Sequence, residues 1–304
     1  MSTRTVDCLI VGGGPAGLTA AIYLARFHLS VLVADSGESR AALIPKTRNH
    51  AGFPEGISGP NLLRRMNQQA RICGAQVEPG TVAAIRRDGE RFTAEASFGT
   101  VSARAVLLAT GVVNNRPDMP DDMHDEALAR GLLRYCPICD GFEVTDLPVA
   151  VIGTGERGRG EAMFLRGYTA RVTLIAPEGQ HELAAADRAE LDRADIRIID
   201  GPAAFSLSNQ QIAVDTPAAS FAFASVYPAL GSVVRSDLAR AMGADASEDG
   251  CLLVDAHQRT SIPGLYAAGD VVLGLDQISH AMGDGGVAAT TMRNDFAASR
   301  PLLR

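Results

Sequence analysis

The sequence predicts an α/β protein of two Rossmann-like dinucleotide-binding domains, each a three-layer ββα sandwich, with the second inserted in the first. Two observations carry that expectation. The order strand, glycine-rich turn, helix, strand occurs twice, over residues 6–35 and again over 149–176. A Pro-rich crossing at 112–120 and a second crossing at 227–232 then set the second unit apart from the chain on either side. The expected division is 1–115 plus 230–304 for an outer domain and 116–229 for an inner one.

Each element has a local cause. Val6 to Gly12 is a short apolar run that stops at glycines, Ala16 to Phe27 has helical periodicity, and Val31 to Asp35 is a second apolar run ending in an acid. A capped helix is expected from Ser58 to Cys73, with Pro60 near its start and Gly74 at its end. Short strands follow over 75–111. In the second unit, Val149 to Ile152 reads as strand, Gly153 to Gly158 as turn, Glu161 to Tyr168 as helix and Arg171 to Ala176 as strand. Residues 196–230 read as further short strands. A strand near Cys251 to Val254 and a last helix over Ile278 to Phe296 complete the expectation.

The 304 residues are 46% apolar, enough for two cores. A net charge of -7 with no basic run argues against nucleic acid or an anionic membrane surface as partner. No stretch reaches the roughly 18 apolar residues of a membrane span, and Asp7 and the glycines break the N-terminal apolar run, so a soluble, cytoplasmic protein is expected. Five cysteines, an odd and scattered set, make no framework for a secreted, disulfide-stapled fold. Cys8 and Cys73 read as small buried hydrophobes.

Chemistry concentrates at three places. Gly12, Gly14, Pro15, Ala16 and Gly17 form a G-x-G-x-x-G turn between strand and helix, where bare backbone can approach a pyrophosphate and Asp35 can accept from a ribose hydroxyl. Gly153, Gly155 and Gly158 repeat the glycine spacing. Cys136-Pro137-Ile138-Cys139-Asp140 places two thiols at a spacing that closes a small disulfide ring; a helix N-terminus there would lower a thiol's pKa, and Asp140 is placed to shuttle protons. The same spacing serves structural zinc, but no second cysteine pair accompanies it and His124 stands alone, so no metal is expected.

The order of these motifs, together with Ala109-Thr110-Gly111 and the run from Thr260 to Gly269-Asp270, resembles the low-molecular-weight thioredoxin reductases, FAD-dependent pyridine nucleotide-disulfide oxidoreductases, over essentially the whole chain. The resemblance implies FAD as cofactor, Asp270 near its ribityl and phosphate region, and Gln277-Ile278 against the flavin ring. It implies that Cys136 exchanges with a disulfide substrate, a thioredoxin-like protein or a small disulfide or dithiol. Cys139 would face the flavin, and Asp140 would give and take the proton. It also implies a homodimer whose inner domain rotates.

One departure bears on the electron donor. NADPH-using members carry a basic cluster after the second strand of the inner unit, whereas this chain reads Ala176-Pro177-Glu178-Gly179-Gln180-His181. Three readings therefore stay open: a reductase fed by NADH or weakly by NADPH; a dithiol oxidase or a reductase fed by another carrier; and a non-enzymatic flavin redox sensor. His280 lies close to the flavin-facing segment and reads either as an acid or base or, preferably, as a polar residue at a helix start or dimer surface.

Overall fold

The computed structural model describes residues 3–300, 302 and 303. Its larger sheet has seven strands. Strands β1 (Arg4–Val11), β2 (Val31–Asp35) and β3 (Gln76–Pro79) run parallel beside β6 (Gly99–Leu108), and β4 (Val82–Asp88) and β5 (Arg91–Ala96) extend it as an antiparallel meander. The first half of β6 pairs with β5, and its second half pairs in parallel with β16 (Leu265–Ala267), so the C-terminal chain returns to the sheet opened by the N-terminal one.

Side chains of β1 alternate across this sheet, as strand geometry requires. Cys8 and Ile10 pack with the helices α1 (Pro15–Arg26), α2 (Gly59–Ile72) and α8 (Ile278–Ser299), whereas Leu9 and Val11 join the opposite core with Leu252, Val271 and the short α7 (Asp237–Arg240). Helix α1 starts at Pro15, whose fixed φ suits a first helical position. Helix α2 is capped by Ser58, whose Oγ accepts from the Asn61 amide at 3.4 Å, and stops before Gly74 at φ +103°. Small residues let α8 lie close on α1: a Cβ at Gly285 would stand 3.1 Å from the Ala16 carbonyl carbon.

A second, four-stranded parallel sheet runs in the order β10 (Arg197–Ile199), β9 (Val172–Ile175), β8 (Val149–Ile152) and β14 (Ser225–Pro228). Strands β8, β9 and β14 are buried throughout, as parallel strands covered on both faces are. Helices α5 (Gly155–Leu165) and α6 (Ala185–Arg193) cover one face. The other carries α3 (Asp121–Ala129) and a three-stranded antiparallel sheet of β11 (Ala204–Leu207), β12 (Ile212–Asp215) and β13 (Ser220–Phe223). The two crossings meet as an antiparallel ribbon of β7 (Val112–Asn114) on β15 (Ser232–Val234).

Four local expectations change. Tyr227 belongs to β14 and is fully buried, so the second crossing begins after Pro228. Residues 251–254 form no strand: Leu252 makes isolated bridges to Ala246 and Val272. Helix α5 begins at Gly155, because the glycine turn itself leads into the first helical turn. Cys8 is fully buried, but Cys73, at the exposed end of α2, is only partly covered. Among the described residues, no helix is long and apolar enough to cross a membrane.

Candidate active site

The first glycine turn is built with no room for side chains of its own at Gly12, Gly13 and Gly17. Gly12 has φ +111°, and a Cβ there would overlap the Ala109 carbonyl, with the carbonyl carbon at 2.7 Å. A Cβ at Gly13 would overlap the Asp35 carboxylate, and one at Gly17 would overlap the Gly12 carbonyl oxygen. No acid occupies the first turn of α1, which leaves its N-terminal amides and positive dipole end open to an anion. Asp35 ends β2 beside this turn and accepts from the Gly37 amide at 2.9 Å.

A cavity of about 480 Å³ runs from this turn, within the range of sites that take small ligands and cofactors. Gly12, Gly14, Pro15, Ala16, Asp35, Ala109, Thr110, Gly111, Gly269, Asp270, Gln277 and Ile278 all line it, and so do Cys136, Cys139 and Asp140. Gly17 lies behind the turn. Gly153, Gly155 and Gly158 do not line this cavity; they form the start of α5 in the second sheet. The open glycine cradle, the acid at Asp35 and the extended cavity fit a bound dinucleotide.

Cys136 and Cys139 are joined as a disulfide at the start of the short helix α4 (Pro137–Asp140). Pro137 occupies the first helical position, and Cys136 Sγ accepts from the Cys139 amide at 3.2 Å. Helix α4 thus holds the sulfur pair at an N-terminus, where backbone N–H groups favour a developing thiolate. Facing the pair, Gln277 Nε2 lies 3.3 Å from each sulfur, and its Oε1 accepts from Asn49 Nδ2 at 3.0 Å. Asn49 Nδ2 also reaches the Ile138 carbonyl at 3.4 Å. The chain before α2 and the start of α8 therefore grip the cystine across the cavity.

Asp140 is held on the other side. Its Oδ2 pairs with Arg134 Nη1 at 3.0 Å and its Oδ1 accepts from the Tyr227 hydroxyl at 3.1 Å. Burial raises the Asp140 pKa, and the Arg134 guanidinium opposes that rise. Asp270 is likewise raised by burial and by the Asp276 carboxylate, while Arg40, 3.2 Å from Asp270 and 2.8 Å from Asp276, holds it down. His280 pairs with Asp284 at 3.5 Å, away from the cavity lining. Asp284 in turn accepts from the Gly269 amide at 3.3 Å, fixing the Gly269-Asp270 turn.

Sequence reading missed Asn49, Arg40, Arg134, Tyr227 and Glu161. Glu161, on α5, is half-buried, with its Oε1 covered and unpartnered. Burial pushes its carboxyl up to about 7, against the Arg157 guanidinium and with the push of the Asp140 carboxylate. Because the unfolded chain ionises this group near 4.5 and the folded one near 7, its contribution to stability is present below pH 4.5 and lost as pH rises through 7. Glu161→Gln should therefore melt higher than the parent at pH 8, by on the order of 3 kcal/mol, with the advantage fading toward pH 4.5. Thermal melts across that range check this; an equal difference at every pH would contradict it.

Comparison with known proteins agrees with this geometry. The pattern of the pyridine nucleotide-disulphide oxidoreductases matches residues 6–285. The chain belongs to that family. Thioredoxin reductase of Streptomyces coelicolor is 33% identical over 280 residues, 88% of this chain and 86% of that one. The Mycolicibacterium smegmatis thioredoxin reductase is 33% identical over 289 residues, 90% and 91% of the two chains. The crystal structure of the Streptococcus pyogenes thioredoxin reductase superposes with a TM-score of 0.88 at 26% identity, covering 98% of this chain and 100% of that one. The chain is thus a thioredoxin reductase-like oxidoreductase acting on disulfides, with two Rossmann-like units and a cystine of the kind that chemistry uses.

Proposed function

We propose that this chain is an FAD-dependent disulfide oxidoreductase in which Cys136 and Cys139 pass electrons between the flavin and a thioredoxin-like protein or a small disulfide or dithiol. The observation that carries the reading is the cystine facing the same cavity that the first glycine turn opens into, with Gln277 Nε2 against both sulfurs. FAD would supply a two-electron centre there. The Gly12–Gly17 turn would take its pyrophosphate, Asp35 a ribose hydroxyl, and Gln277 and Ile278 would bound the ring.

The chain's own groups do the rest. Helix α4 presents Cys136 at its N-terminus, suited to attack by and on a substrate sulfur, while Cys139 closes the ring with it. Asp140, its carboxyl pushed up by burial and tethered by Arg134 and Tyr227, takes or gives the thiol proton. The outer unit is residues 1–115 plus 230–304 and the inner one 116–229; the functional form is a cytoplasmic homodimer. Purified protein should be yellow, and anaerobic dithiothreitol should bleach its flavin band. A protein that binds no flavin on reconstitution, or a flavin that dithiols leave oxidised, would end this reading.

A further inference from the structure

The chain carries one glycine turn twice, and the two copies differ in the groups that stand around the third and fourth positions of the turn. At the first, no acid stands in the opening turn of α1, and the nearest group to a Cβ at Gly14 would be the Ser39 hydroxyl at 3.2 Å, a donor, followed in sequence by Arg40. At the second, Glu156 occupies the opening turn of α5. The group nearest a Cβ at Gly155 would be the Glu182 carbonyl oxygen at 3.7 Å, an acceptor that repels a phosphate.

That carbonyl belongs to a strap, residues 177–184, laid over the turn and fastened to it. The Glu182 amide donates to Thr154 Oγ1 at 2.8 Å, and His181 Nδ1 lies 3.3 Å from the same oxygen. His181 is only 7% exposed; its Nε2 meets the Ile199 carbonyl at 2.9 Å and its amide donates to Asp200 Oδ1 at 3.0 Å. The strap also brings the exposed carboxylates of Glu178 and Glu182.

Two nearby arginines are engaged elsewhere, and a third, Arg188, reaches the strap itself, its Nη2 donating to the His181 carbonyl at 3.5 Å. Arg159 pairs with Asp187 at 3.2 Å and Glu190 at 2.6 Å on α6. The Arg157 guanidinium packs against Gly231 and acts on the half-buried Glu161. A pyrophosphate at Gly155 would therefore approach the Glu182 carbonyl and an opening helical turn that carries Glu156, and the stretch where a 2′-phosphate needs a guanidinium carries Glu178 instead.

The residues present do not fit the pyridine nucleotide that the family's description implies. We infer that the 177–184 strap seals the second glycine turn against NADH and NADPH, so that the flavin centre receives its electrons from a dithiol. This rests on the flavin–cystine reading above. The exchange balances on sulfur alone: the substrate's two S–H bonds give up two electrons and two protons, its S–S bond forms, and the Cys136–Cys139 S–S bond opens to two thiols.

The test uses the flavin-loaded protein. NADH and NADPH are titrated separately, following nicotinamide fluorescence and binding heat, and dithiothreitol is added to a parallel anaerobic sample. Neither nucleotide should bind saturably up to about 1 mM, while dithiothreitol bleaches the flavin. Saturable binding of either within that range, or bleaching by either, overturns the inference. Failure of dithiothreitol to bleach would instead sink the flavin–cystine reading on which it rests. His181→Gly with Glu182→Arg removes the strap's anchor and one repelling charge, and NADPH binding should tighten at least about tenfold. If those substitutions disturb folding, Glu178→Arg with Glu182→Arg, both exposed, serves instead. A loaded variant that binds no better than the parent would show that the strap is not what excludes the nucleotide.

Discussion

Cys139→Ser should leave a yellow, folded protein whose dithiol-driven turnover falls on the order of a thousandfold or more. The reason is connectivity. Substrate exchange at one sulfur stores electrons only if a second sulfur closes the ring, and Cys139 is the only cysteine within that reach of Cys136 among the described residues. Little of the cavity depends on its sulfur, whose neighbour Gln277 keeps its hydrogen bond to Asn49. The flavin spectrum should therefore survive while electron transfer does not. Cys73→Ser is the control, because Cys73 sits at the end of α2 outside the cavity lining, and it should change nothing in turnover. Steady-state rates with a dithiol as donor and oxygen as acceptor check both; unaltered turnover of the Cys139 variant would remove the sulfur pair from the chemistry.

Gly12→Ala should cost the protein its flavin. At φ +111° an L side chain is strained before any contact is counted, and its Cβ would press into the Ala109 carbonyl on the neighbouring strand end. Neither backbone can yield without moving β1 from β6, so a destabilisation of about 3–5 kcal/mol is expected along with loss of bound flavin. Gly37→Ala separates strain from the cradle. Gly37 also has a left-handed φ, +79°, but nothing lies within 4 Å of a Cβ there, so it should lose about 1 kcal/mol and keep its flavin. Flavin absorbance per chain and melting temperature report both. A Gly12 variant with full flavin content would show that the turn tolerates a side chain and does not hold the cofactor as described.

Much of this arrangement was written in local pattern. Apolar runs ending in glycine located β1 and β8, and the apolar run over 31–35 located β2, because parallel strands covered on both faces need uninterrupted apolar residues. Ser58 and Gly74 bracketed α2 through the hydrogen bonds and backbone geometry that helix ends demand. What escaped was long-range. Asn49 meets Gln277 across 228 positions and Arg40 meets Asp276 across 236, pairings that no window along the chain contains. Tyr227 looked like part of a linker because it stands beside Pro228, yet β14 inserts it into the sheet and its hydroxyl finds Asp140. Glu161 reads along the chain only as the start of a helix; its partial burial within the electrostatic reach of Asp140, in the same unit, appears only once α5 is packed.

The missing basic cluster was visible as composition, but its consequence needed coordinates. Sequence alone left NADH open as the donor. The fold instead shows the segment after it fastened across the glycine turn by Thr154, His181 and Asp200.

The central claim is that the Cys136–Cys139 pair and a flavin in the neighbouring cavity form one electron store. Anaerobic reductive titration of the loaded protein with dithionite, followed by absorbance and by counting free thiols, tests it most directly. The parent should take up about four electrons per chain, two on the flavin and two on the disulfide, and Cys139→Ser only about two. A parent that stops at two electrons with its cystine intact would contradict the account.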